Sequence, residues 1–329
     1  MTTNPMKNAL LAACAAVALG GCGSSDAPAP QASTSGSASK NASRKATATA
    51  EEVAEEARGK VKCPARTKLP ARAAGAPVDD VVGVRPGMTY EEAANVVMCT
   101  HDLLVVAQDK QRGFRLQTYG QPLRQGFTAT FAKERVQKTS QDYMRELQDH
   151  AMARGSNRVV RDVAPGEAKW FVGTMGMPGE ERVITAAREE WFETGRQPTV
   201  ESISQALIKK YGTPTQADTG PGYPSLRWAY DTRGRLVTET SPLYHRCNGV
   251  ADPDSGANLN PDCGLVVAAA IRPLRENPSL AEYMQVGVVD SAGGYERLTA
   301  TEQGLERAEA ERRAAEVEAA SKNAARPTL

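Results

Sequence analysis

The chain has 329 residues, with 40 Lys+Arg against 39 Asp+Glu and a formal net charge of +1. That balance excludes the basic surplus on which nucleic-acid binders depend. Apart from the N-terminal run described next, no apolar stretch approaches the roughly 20 residues that a membrane-spanning helix needs.

Lys7 is followed by an apolar run from Ala9 to Leu19 and then by Leu19-Gly20-Gly21-Cys22. An apolar residue three before a cysteine, with small residues between, is the pattern of a lipobox closing a secretory signal. On these residues the chain resembles the bacterial lipoproteins, which implies a signal peptide over 1–21 and acylation of Cys22. Leu11-Ala12-Ala13-Cys14 is a competing lipobox, but cutting there leaves an h-region shorter than the usual 7 to 15 or so residues. A plain cleaved signal with Cys22 unmodified is the other alternative. Acylation by more than one chain makes a stable anchor, so the expected location is the cell envelope, and Gly23 in place of Asp after Cys22 points to the outer membrane, on its periplasmic face. Membrane contact through lipid is the expected attachment.

Gly23 to about Ala50 is Ser, Ala, Thr, Pro and Gly with few cations and no apolar periodicity, a composition that cannot bury a core. We therefore expect a lipidated, disordered tether over 22–60, whose roughly 40 residues have an r.m.s. reach of roughly 35 Å. Glu51 to Arg58 has the composition for a helical turn or two. Ser37-Ala38-Ser39-Lys40 matches an SxxK motif, but its companions are missing and it reads as chance.

The first clear element of the body opens at Thr89, an N-cap with Glu92 three residues on, followed by Ala93, Val96 and Val97 on one side. This predicts a short helix ending near Cys99. Strand patterns follow at Leu103–Ala107, Phe114–Tyr119 and Phe127–Phe131, then a helix at Gln141–Arg154 with Tyr143, Met144, Leu147 and Ala151 spaced for one side. Trp170–Met175 and Glu181–Trp191 read as strands joined by Gly173 to Gly179, a glycine-rich turn that lacks the Gly-Lys-Ser/Thr of a phosphate cradle.

A second capped start comes at Thr199, with Val200, Ile203, Leu207 and Tyr211 on one side and Gly212 as stop. Aligning Thr89 with Thr199 pairs Glu91 with Glu201, Ala93 with Ile203 and Val97 with Leu207. Strands are expected at Leu226–Tyr230, Arg235–Glu239, Leu265–Ile271 and Tyr283–Asp290. The predicted fold class is α+β: a module over 61–195 and another over 196–298, each a capped helix with an antiparallel sheet, the two forming a pseudo-repeat. Residues 299–329, rich in Ala, Glu and Arg, are expected to form a charged, solvated helical tail, with a partner-binding helix as the alternative.

Cys63, Cys99, Cys247 and Cys263 remain in the body, an even set that in an oxidising envelope reads as disulfides, with three possible connectivities. Pairing within modules favours Cys63 with Cys99 and Cys247 with Cys263. A zinc site using His245 beside Cys247 competes, but there is no CxxC.

Gly87-Met88-Thr89 with its following acids resembles the opening of the small outer-membrane assembly lipoproteins of the SmpA/OmlA type. Lys210-Tyr211-Gly212-Thr213-Pro214 is similar to the close of related modules, including those of β-lactamase inhibitor protein. The resemblance implies helices packed on antiparallel sheets, and binding of proteins in place of catalysis. This chain is longer, and no binding residue carries over.

The chemistry-bearing residues form no catalytic constellation. His101, His150 and His245 lie in no recognised motif, and the neighbouring carboxylates Asp79-Asp80, Glu180-Glu181 and Glu189-Glu190 would point to opposite faces of a strand. Asp252-Pro253-Asp254-Ser255-Gly256-Ala257-Asn258 has calcium-like oxygen spacing, but its glycine stands fifth and Cys263 occupies the twelfth position. Arg112 to Arg124 reads as a solvated basic stretch. No catalytic residue, metal or cofactor is therefore assigned. The expected function is a non-enzymatic, protein- or cell-wall-binding envelope lipoprotein. The alternatives are a hydrolase with a dispersed Asp/Glu/His site, or an enzyme inhibitor, which an aromatic-rich sheet face would favour.

Overall fold

A computed structural model describes residues 46–109, 112–155, 163–218, 220, 222–249 and 251–325. Cys22 and the residues that resemble a lipobox lie outside them. Among the described residues five helices accompany one large antiparallel sheet, an α+β architecture. In chain order the first half comprises β1 (Ala46–Ala48), α1 (Ala50–Arg58), α2 (Tyr90–Met98), β2 (Leu104–Gln108), β3 (Gly126–Phe131), β4 (Arg135–Val136), α3 (Ser140–Gly155), β5 (Ala168–Met175) and β6 (Arg182–Trp191). The second half comprises α4 (Val200–Tyr211), β7 (Gln216–Asp218), β8 (Ser225–Asp231), β9 (Ala251–Asp252), β10 (Gly256–Ala257), β11 (Cys263–Pro273), β12 (Ala281–Asp290) and α5 (Ser291–Asn323).

Both helix starts are built as their sequences direct. Thr89 accepts the Glu92 N–H while the Glu92 carboxylate accepts the Thr89 N–H, a reciprocal capping box. Thr199 accepts the Ser202 N–H, and α4 stops at Gly212, whose φ of 86° suits a residue without Cβ. α2 lays Ala93 and Val97, and α4 lays Ile203, Leu207 and Tyr211, onto a core containing Phe127, Trp170, Trp228, Val267 and Val288. Trp228 is wholly buried and donates its Nε1–H to the Gly212 carbonyl at 2.8 Å, which satisfies its polar atom. The Tyr211 hydroxyl donates to the Asp80 carbonyl, also at 2.8 Å, tying α4 to the loop ahead of α2.

The sheet runs β2-β3-β5-β6-β12-β11-β8-β7. Each half contributes four strands in chain order, and the last strand of each, β6 and β12, pair antiparallel at the centre. The two expected sheets are thus one continuous sheet.

Two segments differ from the sequence reading. Phe114–Tyr119 and Arg235–Glu239 have strand-like composition but form no strand. β3 takes β2 and β5 as its neighbours, which leaves Phe114–Tyr119 in the β2–β3 connection, and Arg235–Glu239 folds back on the end of β8, where the Val237 N–H donates to the Ala229 carbonyl and the Asp231 N–H to the Arg235 carbonyl, with a single bridge, Tyr230 to Leu236. Two further corrections concern the ends of the body. Glu51–Arg58 forms the helical turns its composition suggests, as α1, while Ala46–Ala48, expected in the tether, forms β1 paired to β4. The C-terminal helix begins at Ser291, not at residue 299, because Asp290 at the end of β12 caps it through the Gly293 N–H. Thr301, Leu305 and Glu309 are buried, so the first part of α5 is seated on the body, while residues 310–325 are exposed.

The disulfides pair as the module argument expects. The Cys63 and Cys99 sulfurs are 2.01 Å apart and those of Cys247 and Cys263 2.08 Å. The first staples the segment before α2 to that helix's C-cap, and the second staples the β8–β11 connection to the start of β11.

Candidate functional site: the open face of the sheet

Alternation divides each strand between two faces. Trp170, Val286, Val288, Val267 and Ala269 point under the helices. Their neighbours point to the second face, where strand register sets them in rows. One row runs Asp218, Ser225, Ala270, Gln285, Glu189, Lys169. The next runs Gln216, Arg227, Ala268, Gly287, Ala187, Phe171.

Small residues at the middle of the second row let backbone approach closely. The β9–β10 hairpin fills that space: a Cβ on Gly287 would stand 2.5 Å from the Ala251 carbonyl oxygen. The hairpin is fastened at its tip, where Lys169 donates to Asp254 Oδ2 at 2.6 Å and Arg112 Nε donates to the Asp254 carbonyl at 3.1 Å. Lys169 also lies 3.2 Å from Glu189. Burial would lower the Lys169 pKa, but Asp254 and Glu189 outweigh it and raise it above the ordinary lysine value. Glu189, only 4 % exposed, further accepts from Trp191 Nε1 at 2.7 Å and Gln285 Nε2 at 2.5 Å. All its partners are donors, as a buried carboxylate requires.

Beside the hairpin lies a cavity of about 480 Å³. Ser225, Ala268 and Ala270 line its sheet side, and Arg227, Gln216, Asp218, Gln285, Tyr244, Ala251 and Asp252 also line it. Arg227 donates through Nη1 to Gln216 Oε1 at 2.6 Å, while its Nε is buried without a hydrogen-bond partner. Among the described residues no carboxylate lies within ion-pair distance of it. Burial holds its pKa below the usual arginine value, though an arginine stays charged. A half-buried guanidinium with donors to spare, beside carboxamides over a floor of small side chains, is suited to accepting a carboxylate or carbonyl from outside. Toward the other end of the strands Trp191 stacks on Tyr283 with centroids 4.5 Å apart, and the Arg272 guanidinium lies 4.0 Å above the ring of Tyr223, which is 57 % exposed.

The sequence candidates are scattered. His101 is exposed, stacks on Phe131 and accepts the Leu103 N–H; His245 is exposed beside Tyr244; His150 lies in α3. No histidine lines the cavity. Asp79 and Asp80 are held by Arg72, Arg85 and Lys210, and Glu181 by Arg124 and the Gly179 N–H. Arg112 and Arg124, expected on a solvated stretch, bind Asp109 and Glu91 instead and brace the fold. Asp252 Oδ1 closes its own turn on the N–H groups of Asp254 and Ser255. Among the described residues no group of three or more His, Cys, Asp or Glu is placed to hold a metal. No helix among the described residues is long and apolar enough to cross a membrane.

Arg227 and Gln285 were not singled out in the sequence. Leu226-Arg227-Trp228 does place Arg227 opposite two core residues, but nothing local says that the hairpin and Tyr244 will close a cavity around it. Comparison with protein-family models, with curated proteins and with solved structures finds no match for the chain.

Proposed function

We propose that the chain is a lipid-anchored protein of the cell envelope, acylated at Cys22, that binds a protein or cell-wall partner through the open face of its sheet without catalysing a reaction. The observation that carries this reading is the cavity beside the β9–β10 hairpin, where Arg227 offers an unpaired, half-buried charge. The chemistry there is recognition chemistry: one cation, the carboxylates of Asp218 and Asp252, two carboxamides, the Ser225 hydroxyl and a tyrosine, with no histidine to act as a base. In this reading the Ser-, Ala- and Gly-rich stretch ahead of Ala46 is the tether, and the outer membrane its anchorage. The two halves are read as copies of one module, supported by the capped helix followed by four antiparallel strands in each.

Capture from crosslinked envelopes tests the reading. The wild-type chain is expected to retain a specific partner that Arg227→Glu loses at unchanged melting temperature. Recovery of no specific partner, or of the same set by both, refutes it. An enzyme as the partner is favoured by Tyr283 and by Tyr223 with Arg272, residue types that anchor interfaces. The captured partner would then lose activity on addition of the purified protein.

A further inference from the structure

We infer that α3 is an interfacial helix that lies on the bilayer to which the lipid anchor attaches the protein. Tyr143, Met144 and Leu147 stand on one side of α3 and are 58 %, 58 % and 59 % exposed. Three large apolar side chains held together in water at an ordered helix mark a contact surface more than chance exposure does. The opposite side carries Asp142, Arg145 and Glu146, and Lys138 lies 5.6 Å from the centroid of the Tyr143 ring, so the apolar side is a short stripe of three residues. The apolar side of an interfacial segment enters the headgroup boundary by about 5–10 Å.

A second, independent observation names the occupant. β1, the first described element after the proposed tether, pairs with β4, Ala46 opposite Val136 and Ala48 opposite Arg135. Thr47 Oγ1 donates to the Arg135 carbonyl at 2.8 Å, and Arg135 reaches Glu56 of α1 at 2.8 Å, so the N-terminal segment is fastened here. Val136 precedes Ser140, the first residue of α3, by four residues, a contour of at most about 14 Å. The chain from Cys22 therefore enters the body beside α3. Taken as the proposed tether, the roughly 24 residues from Cys22 to Ala46 would have an r.m.s. reach of roughly 27 Å, which keeps α3 at high effective concentration over the bilayer. The helix has no cationic excess, so apolar burial is its contribution, and with acyl chains supplying affinity its role is to set which side of the body faces the membrane.

The inference rests on acylation of Cys22, and one experiment separates the two. Full-length lipidated protein carrying Leu147→Trp is reconstituted in phosphatidylethanolamine/phosphatidylglycerol vesicles with and without bromine-labelled acyl chains, and mass spectrometry of the same sample reads Cys22. Trp170, Trp191 and Trp228 are 1 %, 8 % and 0 % exposed, so the difference from wild type isolates the new side chain. Its emission is expected to be blue-shifted and quenched by bromine, whereas Arg145→Trp, on the opposite side of α3, stays water-like and unquenched. If Cys22 is acylated and the Leu147→Trp emission is water-like, or blue-shifted without bromine quenching as a protein contact would make it, this inference is overturned and the anchor stands. If Cys22 carries no acyl chain, the anchoring reading falls and this one with it.

Discussion

Gly287→Ala adds one methyl group at the place where the β9–β10 hairpin rests on the sheet. Gly287 lies in the middle of β12, opposite Ala187 and Ala268, and its Cβ would meet the Ala251 carbonyl oxygen at 2.5 Å and the Ala251 Cβ at 2.7 Å. Its φ is not in the left-handed region, so contact alone decides the outcome. In an open strand, replacing Gly by Ala stabilises by about 0.5–1 kcal/mol through lost chain freedom. Overpacking a filled site costs about 1–3 kcal/mol. Here the obstacle is backbone, pinned at the hairpin tip by Lys169 and Arg112, so the upper part of that range applies and the net loss is about 1–2 kcal/mol. At about 2–4 °C per kcal/mol for a domain of this size, the melting temperature falls by about 2–8 °C. Thermal denaturation followed by circular dichroism, with disulfides intact, measures it. Ala251→Gly in the same chain removes the Cβ contact but not the carbonyl one and should restore part of the loss. Ala251 and Asp252 also line the cavity, so partner capture should weaken in parallel. A Gly287→Ala protein that melts at or above wild type would show that the hairpin is not seated on β12, and the account of the cavity would fail with it.

Replacing Cys247 and Cys263 together by Ser opens a loop of sequence separation 16 and should cost about 3 kcal/mol by chain entropy, read as a lower urea midpoint; an unchanged midpoint counts against the bond. Burial alone would raise the Asp80 carboxyl, but Lys210, the Gly83 N–H and Arg72 outweigh it and hold its pKa below the ordinary 3.8. A depressed acid contributes fully above its unfolded value and loses that contribution as pH falls through it toward the folded value. Acid titration of stability should therefore show a decline below about pH 4 in wild type that is shallower in Asp80→Asn, and superimposable profiles would refute the assignment.

Most of the local structure was legible because its causes are local. The Thr89 and Thr199 caps, the Gly212 stop, the alternation in β3 and the module-by-module cysteine pairing each depend on residues close in sequence, and each is found where the pattern places it. Phe114–Tyr119 was misread for the opposite reason. Its residues suit a strand, but pairing is decided by segments distant in the chain, and β3 takes β2 and β5 as its neighbours. The C-terminal helix was misplaced likewise, since its spacing predicts a helix while the burial of Thr301, Leu305 and Glu309 comes from neighbours far away in the chain.

The candidate site divides along the same line. Sequence by itself determined the near balance of charge, the two capped helices, the strand periodicity and the side of β8 on which Arg227 stands. Tertiary structure alone decided that both halves share one sheet, that Arg227, Gln285 and Asp252 converge on one cavity, and that the Tyr143–Leu147 stripe of α3 is left uncovered. Capping and periodicity are set within a few residues of backbone. Strand pairing, hairpin seating and the covering of a face are competitions among distant segments for the same hydrogen-bonding edges and apolar surface, and only the folded chain shows which segment won.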